Sequence, residues 1–160
     1  MDQSPPTGVI DRFSGRRASL SNFAPAWVWL EGRRYPSVEH AYQAAKTLDV
    51  DERAEIRTAR TPGEAKRLGN AATLRPDWDG ARLGVMRRLL VQKFDQAGFA
   101  EVLLSTGDAQ LVEGNDWGDV FWGVCRGEGK NYLGHMLMDI RAELRVARER
   151  FVAGGESVSL

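Results

Sequence analysis

The sequence predicts an α+β fold, a single mostly helical domain with a small antiparallel sheet or hairpin. Two observations predict it. Apolar residues recur at helical spacing through most of the chain beyond Ser37, while strand-like runs are short and lie near the N-terminus and between Leu111 and Trp122. At 160 residues the chain is the length of one domain. Such a domain buries about 68–70% of its unfolded surface, enough for a core without disulfides or a structural metal.

In chain order, Val9-Ile10 and Phe13 suggest a first short strand. Ala26–Leu30 and Arg33–Tyr35 flank Glu31-Gly32, and a glycine there suits the positive φ of a tight hairpin turn. Ser37 can cap a helix from Val38 to about Leu48, with Val38, Ala41, Tyr42 and Ala45 forming one apolar stripe. A second helix is expected from about Asp51 to Ala59. Thr61-Pro62-Gly63-Glu64 reads as a capping box with proline at the first helical position, and Gly69 as the stop. Asp77 is placed to cap a long helix carrying Leu83, Met86, Leu90 and Phe94, and Phe99–Leu104 reads as a short helix ended by Thr106-Gly107. Leu111-Val112 and Val120–Trp122 are candidate strands, Gly127–Asn131 a loop, and Leu133 to about Phe151 a closing helix. The expected domain is 8–151, with loose termini at 1–7 and 152–160.

Composition narrows the function classes. Basic and acidic residues number 22 each, for a net charge of zero, which argues against a dedicated duplex-DNA clamp. Only four of the 22 basic side chains are lysines, a bias that fits a GC-rich genome better than an anion-binding role. A single cysteine, Cys125, and two histidines, His40 and His135, leave no disulfide framework and no multi-Cys or His-rich metal centre. Neither a membrane-spanning apolar run nor a signal-peptide pattern is present. A soluble cytoplasmic protein without metal or cofactor is the expectation; the sequence carries no signal of oligomeric state.

Three segments could carry chemistry. On the helix after Ser37, Glu39, Gln43 and Lys46 lie at i, i+4 and i+7 and form a polar stripe. By spacing alone this is either a solvated salt-bridge face or a carboxylate and an ammonium presented at the edge of a cleft. Asn115–Gly123 sets Asp116, Asp119, Trp117 and Trp122 among glycines. That segment is either an acidic turn with one core tryptophan, or a stacking face beside a carboxylate that accepts from ribose hydroxyls. Gly127–Gly134 precedes a helix, where backbone N–H groups can hold phosphate, or is an ordinary loop. No P-loop, dinucleotide fingerprint, zinc-protease or nucleophile-elbow motif occurs. Cys125 reads as a buried thiol and His40 as a residue packed beside its helix. The Met136/Met138 and Trp27/Trp29 pairs read as core or hairpin faces.

Taken in order, these segments resemble the NADAR family (NAD- and ADP-ribose-associated), which includes the N-glycosidases of riboflavin biosynthesis intermediates. The matching blocks are Leu20–Phe23, Tyr35–Lys46, Ala65–Gly69, Trp78, Met86, Lys93-Phe94, Leu103–Gly107, Leu111–Glu113, Asp119–Gly123 and Gly129–Gly134. They cover about Phe13 to Leu144. Cys125-Arg126-Gly127 departs from the glycine-rich run common in the family at that point.

The resemblance implies cleavage of a ribose C1′–N bond. It carries over Glu39, Asp119 and Lys46 as catalytic positions and Asn22, Phe23, Trp78, Trp122, Gly123 and Asn131 as substrate-binding ones. The implied substrate is a small ribosyl or ADP-ribosyl molecule: a phosphoribosylamino-pyrimidine of riboflavin synthesis, or alternatively ADP-ribosyl-guanine in modified nucleic acid. These residue types suit the chemistry. A carboxylate can stabilise oxocarbenium character on the ribose, and a carboxylic acid with a raised pKa can protonate the departing nitrogen. A deprotonated lysine could instead attack ring-opened C1′ as a Schiff base. The rival from another class is a non-catalytic module that binds ADP-ribose or a nucleotide.

Overall fold

The computed structural model describes residues 8–156. In order they form β1 (Val9–Ile10), a 3-10 helix (Gly15–Leu20), β2 (Val28–Leu30), β3 (Arg33–Tyr35), α1 (Val38–Ala45), α2 (Val50–Arg57), α3 (Pro62–Ala71), α4 (Trp78–Asp95), α5 (Ala97–Leu104), β4 (Gln110–Leu111), β5 (Gly114–Asn115), β6 (Val124–Cys125) and α6 (Tyr132–Glu156). The class is α+β. The described residues divide into two units, Ala18–Gln96 and residues 8–17 with 97–156.

In the unit Ala18–Gln96 the hairpin forms as expected. β2 and β3 pair antiparallel, with Trp29 opposite Arg34. Glu31 and Gly32 both take left-handed backbone, φ 46° and 79°, the requirement of a tight turn matched to the strands' twist. Ser37 caps α1, its Oγ accepting the His40 N–H at 3.1 Å. The helix ends at Ala45 rather than near Leu48. Contacts with α2, α3, α4, β2 and β3 surround it, so all eight of its residues are buried, Glu39 and Gln43 of the polar stripe among them, while Lys46 lies just past its end and is half-buried.

Two boundary expectations fail here for physical reasons. Gly69 does not stop α3, which continues to Ala71 and is released by extended backbone at Ala72; the glycine serves packing instead. Asp77 precedes α4 but makes no cap hydrogen bond, because Arg75 grips both carboxylate oxygens at 2.6 and 2.8 Å. The capping box forms in a shifted version: Thr61 Oγ1 accepts from the Glu64 N–H, while the Glu64 carboxylate accepts from the Arg60 N–H. On α4, Trp78, Val85, Met86, Leu89, Leu90 and Phe94 face the core. Lys93, fully buried beside them, donates to the Ser21 carbonyl at 2.7 Å and anchors the loop that carries Asn22.

In the other unit β1 and β4 pair parallel, as do β5 and β6, while α5 and β4 pack on α6. The strand expected at Val120–Trp122 is a loop, and the strand is Val124–Cys125 instead. The Asn115 side chain explains this: it accepts from the Asp119 N–H at 2.9 Å and donates to the Asp119 carbonyl at 2.8 Å. The chain is thereby closed into a turn with Gly118 at φ 87°. Cys125 is buried, and Arg126-Gly127 make a left-handed turn between Cys125 and Glu128. Residues 152–156, expected to be loose, continue α6. The expectations for 1–7 and 157–160 lie outside the described residues.

Candidate active site

The N-terminal half of α1 supplies the densest chemistry in the unit Ala18–Gln96. Glu39 lies in its first turn, where the helix dipole favours a carboxylate. Glu39 is 7% exposed and Gln43 3%. This burial removes the solvated-face reading for Glu39 and Gln43, while Lys46 is half-buried. Gln43 Nε2 donates to Glu39 Oε1 at 2.7 Å, and the Glu39 N–H is held by the Asn22 carbonyl at 3.1 Å. Asn22 is itself buried, its amide nitrogen 3.5 Å from Met86 Sδ and its Oδ1 without a partner. Phe23 follows it, exposed.

Lys46 closes α1 as its C-terminal cap residue. Its ammonium donates to Asn70 Oδ1 at 3.1 Å and stands 5.8 Å from the centre of the Tyr42 ring. Burial pushes the Lys46 amine below its ordinary pKa; the negative charge of Glu39 works against this and the positive charge of Lys66 adds to it. Tyr42 continues into Trp78, the rings 5.1 Å apart and tilted by 55°. The fold therefore brings Glu39, Lys46, Asn22 and Trp78 into one neighbourhood. Sequence reasoning assigned Tyr42 only to the apolar stripe and did not single out Asn70 at all.

The other unit gathers Asp119, Trp122, Gly123 and Asn131. Asp119 Oδ1 accepts from the N–H groups of Phe121 and Trp122, at 3.1 and 2.9 Å. The Trp122 ring meets Phe121 edge-on at 4.8 Å and Tyr132 at 6.5 Å. A side chain at Gly123 would sit 2.0 Å from the Glu113 carbonyl, so the close approach this glycine allows is to the chain's own backbone. Asn131, left-handed at φ 52°, is buried with its Oδ1 accepting from the Glu113 N–H and its Nδ2 donating to the Leu111 carbonyl. The phosphate reading of the Gly127–Gly134 loop loses four of its donors. The N–H groups of Lys130, Asn131, Tyr132 and Leu133 go to the carbonyls of Val120, Gly123, Phe121 and Trp122.

Among the described residues no group of three or more His, Cys, Asp or Glu could hold a metal ion, and no helix is long and apolar enough to cross a membrane.

Comparison with known proteins supplies the context. The model of the NADAR domain matches residues 4–145. N-glycosidase YbiA of Escherichia coli (strain K12) is 39% identical over 81% of this chain and 82% of its own length. An N-glycosidase of Nostoc punctiforme is 42% identical over 79% of this chain and 85% of its own. The chloroplastic riboflavin biosynthesis protein PYRR of Zea mays is 37% identical over 79% of this chain, which there corresponds to 23% of a longer protein. The NMR structure of E. coli YbiA aligns with a TM-score of 0.79 at 35% identity, covering 91% of this chain and 90% of that one.

Proposed function

The chain belongs to the NADAR domain family, and from that premise we propose that it is an N-glycosidase that hydrolyses the ribose C1′–N bond of phosphoribosylamino-pyrimidine intermediates of riboflavin synthesis. The hydrolase class follows from relatives named N-glycosidases that align over most of both chains. The pyrimidine substrate is favoured by relatives named riboflavin biosynthesis proteins, in which this chain's counterpart is one part of a larger polypeptide.

The observation that carries the mechanism is the buried Glu39, held at one oxygen by Gln43 and coupled in charge to a partly desolvated Lys46. Breaking the C1′–N bond leaves positive charge on C1′ and the ring oxygen. A carboxylate fixed in a poorly hydrated setting stabilises that charge far better than one in water. Water adds at C1′, its proton passes to a base, and the departing nitrogen takes up a proton to leave as the amine. The Tyr42–Trp78 ring pair, tilted by 55°, offers aromatic surface against which a heterocycle can pack. Asp119 and Trp122 enter the proposal as the second candidate set, with Asn22, Phe23, Gly123 and Asn131 as further substrate-binding candidates.

The test is a paired assay with a phosphoribosylamino-pyrimidine and with ADP-ribosylated guanosine, following release of the sugar. Turnover of the pyrimidine with the higher kcat/KM is expected. A hundredfold preference for the guanosine adduct would transfer the assignment to that substrate, and tight ADP-ribose binding without hydrolysis of either would make the chain a binding module. Glu39→Gln should cut kcat about 10²- to 10⁴-fold with a much smaller change in KM.

A further inference from the structure

α3 approaches α1 closely at Gly69. A Cβ on this residue would stand 2.1 Å from Gln43 Oε1, 2.7 Å from Gln43 Cβ and 2.9 Å from Gln43 Cδ. Real Cβ atoms do not make such contacts, so the glycine is what lets the Gln43 amide lie where it does. That amide is 3% exposed. Its nitrogen donates to Glu39 Oε1 at 2.7 Å, while its oxygen, directed at the Gly69 backbone, has no hydrogen-bond partner. An unpaired buried carbonyl is destabilising, a cost a merely structural glutamine would shed by becoming leucine or methionine. What the amide gains in return is its bond to Glu39. With Glu39 ionised the arrangement has one sense only, since reversing the amide would set its oxygen against a carboxylate oxygen.

From this geometry we infer that Gln43 is a positioning residue that fixes Glu39 as an oriented carboxylate, and that Gly69 is the specific packing condition for it. The inference rests on the N-glycosidase reading of Glu39 and assigns that carboxylate the charge-stabilising rather than the proton-donating share of the reaction. Lys46, on the same helix, remains coupled to Glu39 and to Lys66 of α3, and both lysines are untouched in the variants below.

The experiment uses the full chain as wild type, Gln43→Met, Gly69→Ala and the double variant, with folding checked by circular dichroism. Gln43→Met keeps length and burial and removes the donor. It should lower kcat about 10-fold or more with KM changed less than about 2-fold, the scale of one lost hydrogen bond to a charged group. Gly69→Ala should lower kcat as well, and should add much less on the Gln43→Met background, where only crowding against the residue-43 stem remains. Independently of any substrate, the Glu39 carboxyl carbon is followed by NMR titration in carbon-13-labelled protein, with Glu39→Gln identifying the signal. Its midpoint should rise by about one pH unit in Gln43→Met. A midpoint that stays put in that variant overturns the inference, even if the protein turns over neither substrate. Fully additive kcat losses in the double variant overturn the role of Gly69. If the midpoint rises while the wild type is inactive on both substrates, the contact stands and the catalytic reading of Glu39 falls.

Discussion

Replacing Ser37 by alanine probes the start of α1 at the point where fold and site depend on each other. Ser37 is 1% exposed. Its Oγ accepts the His40 N–H at 3.1 Å and lies 2.7 Å from His40 Nδ1. The other ring nitrogen, Nε2, sits 3.1 Å from the Ala59 carbonyl. A carbonyl only accepts, so Nε2 carries the ring proton, Nδ1 is an acceptor, and the Ser37 hydroxyl hydrogen points to it. Ser37→Ala therefore removes two bonds. Loss of the helix cap costs about 1 kcal/mol, and stranding the buried Nδ1 acceptor adds about 1–3 kcal/mol. The expected destabilisation is about 2–4 kcal/mol, read as a lowered urea midpoint at unchanged slope near pH 7.5. On a His40→Leu background no ring nitrogen is left to strand, and the same change should cost only the cap, about 1 kcal/mol. A loss below about 0.5 kcal/mol for Ser37→Ala, or equal losses on both backgrounds, would refute the shared role of the hydroxyl.

Burial holds the His40 imidazole below its ordinary pKa, with the Ala59 carbonyl and Glu64 pulling the other way. The unfolded chain therefore takes up a proton near pH 6.5 that the fold resists. Stability should be level just above that pH and decline as pH falls toward the folded value, and His40→Leu should flatten the decline of urea midpoints below about pH 6.5. If Lys46 attacks C1′ as a free amine, borohydride added during turnover traps a protein adduct that Lys46→Ala abolishes. If it holds a phosphate instead, no adduct forms in the wild type and Lys46→Ala mainly raises KM. Asn131→Ala removes the bonds to the Glu113 N–H and the Leu111 carbonyl and places alanine at φ 52°. It should destabilise by about 2–4 kcal/mol in urea denaturation, and a loss within about 0.5 kcal/mol would show that water replaces both bonds.

Where local chemistry decides an element, the letters were sufficient. The Glu31-Gly32 hairpin and the Ser37 and Thr61 caps depend on residues within four positions of one another, and all three form. Where a second side chain competes for the same group, even one close in sequence, the letters mislead. Asp77 looks like a helix cap, but Arg75 offers its carboxylate a bidentate pair instead. Val120–Trp122 has strand-forming residues, but Asn115 ties the adjoining Asp119 backbone into a turn that a strand cannot contain. The parallel pairing of β1 with β4 joins segments about a hundred residues apart, and no local pattern encodes such a partner.

The candidate site divides along the same line. Helical periodicity alone put Glu39, Gln43 and Lys46 on one face, yet it cannot tell a wet stripe from a buried one, because both are written with the same polar residues. The difference comes from α2, α3 and α4 closing around α1, and it changes the chemistry. In water the Glu39 carboxylate would be one screened charge among 22 acidic residues. Buried beside one amide donor and a lysine whose pKa is depressed, it has a fixed direction and a low-dielectric setting. Gly69 shows the limit most plainly. As a letter near the end of a helical pattern it reads as a stop, since glycine commonly ends helices in left-handed backbone. In the fold it lies inside α3, and what matters is the absence of a Cβ at the point where Gln43 needs the space.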